Sequence, residues 1–324
     1  MLSYSIAIRT LGTAGEKFIR ELESIKRLTL QPDKVMIYIA EGFTRPDFQI
    51  GKEQYVWVKK GMMSQRLLNY YDIDSDIILF LDDDVELAPY STESMINALE
   101  ENNLDALGSD IFLNHKMPFL KKIYSALVNG VTPHYNKKWA FKVKKNGAFS
   151  YHNNPRKDLY LSQSCAGPVW MIKKSVYEKL SFTDELWLDK FKFAYFDDQL
   201  ESYKVFKNGY RLGVMFNSGI KNLDAQTSSG ELKKGTERIY IRTKASLAIW
   251  WRTIYMTESG IKKVVAAIFF MIKISWLFFL FFLYSLTRLS PKPINQYLKG
   301  LKDGWILVHT QQFNALHPYV ISKT

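Results

Sequence analysis

Short apolar runs alternate with amphipathic stretches through the first hundred residues. Ser5-Ile6-Ala7-Ile8 reads as a buried first strand, and Phe18, Leu22, Ile25 and Leu28 then recur at spacings of three and four. That spacing predicts a helix over residues 14–28 covering one face of a sheet. Pro32 helps to end the connection. Val35 to Ala40 and Gln54 to Val58 read as the second and third strands, Gly61 to Tyr71 as a helix, and Ile77 to Leu81 as a fourth strand. The fourth is apolar throughout, as a strand buried on both faces must be. Ser91 is placed to cap a helix that turns Met95, Ile96 and Leu99 inward, and Leu104 to Gly108 returns as a strand. This order predicts an α/β fold: a Rossmann-like, mainly parallel sheet with flanking helices.

Two later segments break the pattern. Residues 111–160 carry a run of Lys and Arg, from Lys116 through Lys121, Lys122, Lys137 and Lys142 to Lys157, against one acid, Asp158, with Phe119, Tyr124, Tyr135, Trp139 and Phe149 interleaved. Such a mixture suits single-stranded nucleic acid, a membrane interface or a solvated insertion. From Val264 to Leu286 the only charge is Lys273. At ~1.5 Å per residue this stretch is long enough to cross ~30 Å of hydrocarbon, and Ser275 to Ser285 is apolar on every helical face. Lys262 and Lys263 flank it on one side, Arg288 and Lys292 on the other, so charge gives no orientation, and spanning and dipping into one leaflet stay open. The chain divides into an α/β region at 1–245, carrying the 111–160 insertion, and a helical, membrane-associating C-terminal region at 246–324.

Composition adds constraints. Forty-four Lys and Arg against 32 Asp and Glu give a formal net charge of +12, which favours an anionic partner without choosing one. Cys165 is the only cysteine, so no internal disulfide can form, and residues 1–15 lack the pattern of a secretory leader. Both point to a catalytic part on the cytoplasmic face of the cell membrane.

The candidate chemistry sits at strand ends. Leu81-Asp82-Asp83-Asp84 closes the apolar fourth strand, and three adjacent carboxylates repel unless a cation joins them. Asp82 and Asp84, two apart in extended chain, point the same way and are placed to serve one Mg²⁺ or Mn²⁺; Asp83 faces elsewhere. In open α/β sheets ligands gather beyond the carboxyl ends of the strands, where this triplet lies. Phe196-Asp197-Asp198-Gln199-Leu200 opens a helical stretch, where a carboxylate can act as general base or simply complement the helix dipole. Glu41-Gly42 follows the second strand, where a carboxylate can take ribose or base donors. Arg66 precedes the aspartate strand, where it can neutralise a diphosphate.

Together these residues resemble a family 2 glycosyltransferase of the GT-A fold over roughly residues 3–230. Tyr4-Ser5-Ile6-Ala7-Ile8-Arg9-Thr10 is similar to the family's first strand, with Arg9 where proline is usual, and Thr10 falls on the donor side. The resemblance implies nucleoside contact by Glu41, a phosphate-facing role for Arg66, and a DxD signature in which Asp82 meets ribose or metal, Asp83 supports the donor site and Asp84 holds the metal. It implies that Asp198 is the base, with Asp197 beside it, and that Gly167, in Cys165-Ala166-Gly167-Pro168, shapes the acceptor pocket. Departures are visible. Leu200 stands where a further acid is common, with Glu201 one position late. No histidine follows the base at the usual distance, which leaves Asn222 or Asp224 as replacements near the metal. The tail, with Gly300-Leu301-Lys302-Asp303-Gly304, resembles bacterial members that build polysaccharide or lipid-linked glycans. The implied reaction is inverting transfer from a nucleoside diphosphate sugar to a glycan or a polyprenyl-phosphate-linked acceptor at a membrane surface, with no nucleic acid involved.

Two rival readings stand beside it. An aspartate-nucleophile phosphohydrolase also places Asp-x-Asp after an apolar strand, with Lys173 or Lys174 as its lysine, but three strands precede the motif here. A basic nucleic-acid or lipid-binding module accounts for residues 111–160 and leaves both aspartate groups unexplained.

Overall fold

The computed structural model describes residues 2–111, 118–120, 123, 132–133, 138–152, 155–191, 195–223 and 235–321. Lys116, Lys121, Lys122, Tyr124, Tyr135, Lys137 and Asp224 lie outside them.

Eight strands form the central sheet: β1 (Tyr4–Thr10), β2 (Val35–Ala40), β3 (Glu53–Val58), β4 (Ile77–Asp82), β6 (Ala106–Ser109), β10 (Leu159–Ser162), β11 (Val169–Lys173) and β12 (Leu212–Met215). Their order is β10-β12-β6-β11-β4-β1-β2-β3. Only β11 and β10 run against the other six. The mainly parallel sheet expected from the alternating pattern is therefore present. β1 and β4 lie in parallel register, Ile8 beside Leu81 and Arg9 beside Asp82, so their carboxyl ends finish together.

Side-chain alternation splits the core in two. Leu79, Leu81, Val169 and Met171 face α1 (Glu16–Lys26) and α2 (Ser91–Glu101), where Phe18, Leu22, Ile25, Met95, Ile96 and Leu99 are fully enclosed as their spacing predicts. Ile78, Phe80, Trp170 and Ile172 face α4 (Asp197–Lys207) and the C-terminal helices. A short α3 (Lys174–Lys179) and a 3₁₀ stretch, Phe182–Lys190, lead toward α4.

Two expectations are revised. Residues 62–66 form turns, where spacing predicts a helix: the Asp189 carboxylate accepts from the Met63 and Ser64 amides, at 2.7 and 2.8 Å, and pins the segment from outside. Met63, Leu67 and Tyr70 still point inward, which is why the period misleads. Ser91 is the first residue of α2, after Tyr90, and makes no capping bond. Residues 245–246, where composition shifts, lie inside α5 (Glu237–Trp250).

After a π turn at Trp251–Tyr255 come α6 (Gly260–Thr287), α7 (Lys292–Val308) and α8 (Gln311–Asn314). Gly300 and Gly304 let α7 lie tightly on α5; a Cβ on Gly300 would stand 2.7 Å from the Tyr240 carbonyl oxygen. Glu185 binds both Lys204 (3.0 Å) and Arg252 (2.9 Å) in a buried triad that joins the tail to α4. The tail also covers α4 directly: the Tyr319 hydroxyl donates to Leu200 O (2.6 Å), and Asn208 bonds Tyr319 O and the Ile321 amide. Within the 111–160 region, β8 (Phe141–Val143) and β9 (Phe149–Tyr151) form a hairpin, with β7 (Thr132–Pro133) paired to β9.

Candidate active site

The carboxyl ends of β1, β2 and β4 face the start of α4, and one guanidinium joins them. Arg66, 4% exposed, sends Nη1 to Asp197 (2.9 Å), Asp198 (2.8 Å) and Glu201 (3.4 Å), and Nη2 to Asp82 (3.5 Å). Burial opposes its charge, but Glu201, Asp197, Asp198 and Asp82 together hold it firmly protonated. Arg66 is thus an internal counter-ion committed to four acids, where the sequence reading has an open diphosphate clamp.

Asp82 is shared by two cations. Arg9 Nε lies 2.6 Å from the same Oδ1 that Arg66 approaches. Burial would raise the Asp82 pKa, but Arg9 and Arg66 outweigh it and hold the carboxyl below its usual range. Asp82 therefore meets guanidinium groups where a metal ion shared with Asp84 was expected. Its neighbour Asp83 is buried toward α1 and accepts a 2.6 Å hydrogen bond from the Thr10 hydroxyl, which in turn accepts from the Gly12 amide. Burial raises Asp83 to about 6 despite that bond. Behind it lies Glu21 on α1, fully enclosed, with Oε1 unpaired and its pKa pushed well up by burial and then by Asp83.

Asp84 stands in the turn between β4 and β5 (Val85–Leu87), half-buried. β13 (Ile220–Asn222) pairs with β5, placing Asn222 opposite Val85, and the Leu223 amide donates to Asp84 O at 2.8 Å. The segment expected to replace the missing histidine therefore runs beside Asp84. Among the described residues no three His, Cys, Asp or Glu side chains converge as a metal cluster. The donors present are all hard oxygens, and Asp82, Asp83 and Asp84 are adjacent carboxylates whose repulsion a cation would relieve. A Mg²⁺-like ion needs only one or two carboxylates when substrate phosphates supply other ligands, so Asp84 with its neighbours fits such an ion.

The acids of α4 divide by exposure. Asp198 is 40% exposed, Asp197 10% and Glu201 2%. Burial, then Asp198, raises Asp197 to about 6; burial raises Glu201 to about 8 against the pull of Arg66. Phe196, just before them, holds φ at 67°, a left-handed conformation that costs a non-glycine residue about 1–3 kcal/mol and turns the chain sharply into the helix. Gly167 packs against this point: a Cβ there would lie 1.9 Å from Asp198 Oδ1 and 2.9 Å from Arg66 Nη1. Only glycine leaves Asp198 where it is.

Glu41 is exposed after β2, followed by Gly42 at φ 86°. Buried Gln65 donates to Thr10 O (2.9 Å) and Tyr38 O (3.3 Å), tying the ends of β1 and β2. The structure thus brings Thr10, Arg66, Asp82, Asp83, Asp197, Asp198 and Gly167 into one connected cluster. Asp84 and Glu41 lie on its rim. Arg9, Glu21 and Glu201 are additions. Arg9 is signalled by a charge at the end of a buried strand in register with Asp82. Glu201 sits one helical turn after Asp197 and Asp198, and Glu21 interrupts the apolar face of Phe18, Leu22 and Ile25.

No sequence-family profile matches the chain, and no curated protein sequence does. Solved structures do. The structure of S. aureus TarS 1-349 in complex with UDP-GlcNAc superposes with a TM-score of 0.51 at 13% identity, covering 97% of this chain and 84% of that one. GalNAc-T7 with UDP, GalNAc and Mn²⁺ gives 0.51 at 10% identity, covering 82% of this chain and 53% of that one. At such identity the likeness speaks for architecture. With its mainly parallel sheet, flanking helices and apolar C-terminal helix, the chain has the GT-A fold.

Proposed function

We infer that this protein transfers a sugar from a nucleoside diphosphate sugar to an acceptor hydroxyl, with inversion at the anomeric carbon. The observation that carries the reading is the Arg66 cluster: a single buried guanidinium draws the strand-end aspartate Asp82 and the exposed helix acid Asp198 to opposite sides of one site. That TarS binds UDP-GlcNAc and GalNAc-T7 binds UDP, on a similar fold, supports a uridine nucleotide sugar as donor.

In this reading Glu41 and Thr10 flank the nucleoside, Asp83 fixes Thr10, and Asp84, with Asp82, would hold Mg²⁺ or Mn²⁺. The ion would supply positive charge to the leaving diphosphate. Asp198, the exposed acid, takes the acceptor proton while the acceptor oxygen attacks from the face opposite the leaving group. One displacement gives inversion. Asp197 and Glu201 are positioning residues: with Arg66 they hold Asp198 against Gly167. The phosphohydrolase alternative loses both its lysines, since Lys173 stands in register with Ile77, five residues and ~16 Å along the strand from Asp82, and Lys174, one residue further away, donates to Ile73 O. Lys173 instead binds Asp105.

The reading extends to a membrane. α6 is long and apolar enough to cross one, but one side of it packs on α7 and the π turn, with Phe270 stacked on Trp250, while Ile268, Phe269, Phe279 and Phe282 are exposed. We read it as lying along a lipid surface, in the service of polysaccharide or lipid-linked glycan synthesis. A panel of nucleotide sugars, with Mn²⁺ or with chelator, read by thermal shift and by the anomeric configuration of product, tests the proposal. Stabilisation by one or more donors and an inverted product are expected. Retention of configuration, or release of phosphate from simple esters with no donor bound, would overturn it.

A further inference from the structure

The turns at 62–66 carry the backbone of Arg66, and neither a helix nor a strand ladder holds them. Their anchor comes from the 3₁₀ stretch Phe182–Lys190, where Asp189 is half-buried. Asp189 Oδ1 accepts from the Met63 amide (2.7 Å), and Oδ2 accepts from the Ser64 amide (2.8 Å) and the Ser64 hydroxyl (2.5 Å). Hydrogen bonds to an ionised carboxylate are about twice as strong as neutral ones, so this grip outweighs the ordinary turn bonds around it.

The bonds continue inward. The Met63 carbonyl accepts from the Arg66 amide (3.0 Å), the Gly61 carbonyl from the Gln65 amide (3.0 Å), and the Arg66 carbonyl from the Tyr70 hydroxyl (2.5 Å). Asp189 thus reaches the Arg66 backbone through one residue, Met63, whose amide meets the carboxylate and whose carbonyl holds the arginine. Gly61 shows how closely carboxylate and turn fit: a Cβ there would stand 2.4 Å from Asp189 Oδ2 and 2.9 Å from its Cγ.

The other half of the acid cluster is held by the same stretch. Four residues before Asp189, Glu185 binds Lys204 of α4 (3.0 Å) and Arg252 (2.9 Å). The stretch is itself fixed to the tail: His317 Nδ1 lies 2.9 Å from Asp184 Oδ1, Lys190 donates to Gln312 (2.8 Å), and the Phe313 ring lies 5.1 Å from Trp187. One frame therefore sets both the guanidinium and the helix bearing the acids that it meets. Arg66 is faced by Asp82 from β4 and by Asp197, Asp198 and Glu201 from α4, and of the α4 acids Asp198 is the exposed one.

We propose that Asp189 is a positioning residue: by gripping the Met63 and Ser64 amides it fixes Arg66 against Asp198 and so keeps the base in place. The step from Arg66 to the base rests on the glycosyl-transfer reading; the step from Asp189 to Arg66 does not.

Two substitutions in the full-length protein approach this contact from opposite sides. Asp189→Asn keeps the shape but turns an amide N–H toward a backbone N–H, and Gly61→Ala leaves Asp189 in the chain but drives a methyl group into it. Melting temperatures of Asp189→Asn, Arg66→Met and the double variant form a cycle. Because Asp189 acts through Arg66, the loss in the double variant should fall short of the summed single losses by at least ~2 °C. Asp189→Asn and Gly61→Ala should each lower kcat by about 10–100-fold at a temperature where both are folded, with donor KM changed by less than ~3-fold. The acidic limb of the kcat–pH profile should also move up by ~1 pH unit, since a carboxylate that loses a cationic neighbour keeps its proton to higher pH. The shape of that profile does not depend on the folded fraction, so a purely architectural contact would leave it unmoved. Additive melting losses, or profiles that superpose on wild type in both variants, would overturn the proposal. A wild-type protein that transfers no sugar while the melting cycle stays coupled would sink glycosyl transfer and leave the positioning of Arg66 standing.

Discussion

Replacing Arg66 by Met tests whether this guanidinium is a structural hub or a ligand clamp. In the folded chain it serves Asp82, Asp197, Asp198 and Glu201 at 2.8 to 3.5 Å while almost wholly enclosed. Removing one partner of a buried ionic network strands the remaining charges and costs about 3–5 kcal/mol. For a domain of this size each kcal/mol shifts the melting temperature by about 2–4 °C, so a drop of ~6–20 °C is expected near pH 8. The loss should be smaller near pH 5. Asp197, at about 6, and Glu201, at about 8, have folded pKa values raised above their ordinary ones, so the stability they contribute is present at low pH and disappears as pH rises through those values. Without Arg66 both rise further, and protonation at low pH relieves the repulsion. Melting curves of both proteins from pH 5 to pH 9, at two salt concentrations, measure this; added salt should matter little because the network is buried. A melting temperature within ~2 °C of wild type at pH 8, together with a selective rise in donor KM, would refute the hub and restore the clamp.

Glu201→Gln removes a carboxyl whose folded pKa is raised to about 8; its stabilising share is complete below about 4.5 and lost through pH 8, so the variant should melt higher than wild type at pH 9, and parallel melting curves would contradict this. Gly167→Ala pushes a methyl into Asp198 and should lower kcat by at least ~100-fold with donor affinity retained, measured by steady-state kinetics beside a donor thermal shift. Asp198→Asn should abolish transfer and spare donor binding, whereas Asp84→Asn should remove the Mn²⁺ dependence of donor binding; near-normal turnover in Asp198→Asn would end its assignment as base. Phe279→Glu with Phe282→Glu takes two exposed rings off the lipid face, each worth about 1.5–3 kcal/mol when buried, and should cut vesicle co-sedimentation by ~100-fold or more.

The sheet was legible because its strands are buried on both faces, so Val35–Ala40 and Ile77–Asp82 announce themselves by composition alone. Local patterns of this kind survive in any context. The turns at 62–66 were not legible, since the inward spacing of Met63, Leu67 and Tyr70 is the same for a helix and for turns pinned by Asp189, more than a hundred residues away. The site divides in the same way. The aspartates stood out as unpaired charges in the sequence, while their partners Arg9 and Arg66 come from separate elements, and only register and packing join them. The four acids around Arg66 are likewise out of reach of sequence reasoning, because they come from the β4 end and from α4, far apart in the chain.

The strap at Tyr319 and Ile321 bears on the order in which the molecule is made. Helix α4, which carries the acids, receives its outer cover from a residue synthesised 119 positions after Leu200, and Asn208 waits for the same segment. Between them on the chain lies α6, with its exposed rings. The acid-bearing helix is therefore finished only after α6 has left the ribosome, and under the membrane reading proposed above this couples completion of the acid cluster to arrival at a surface.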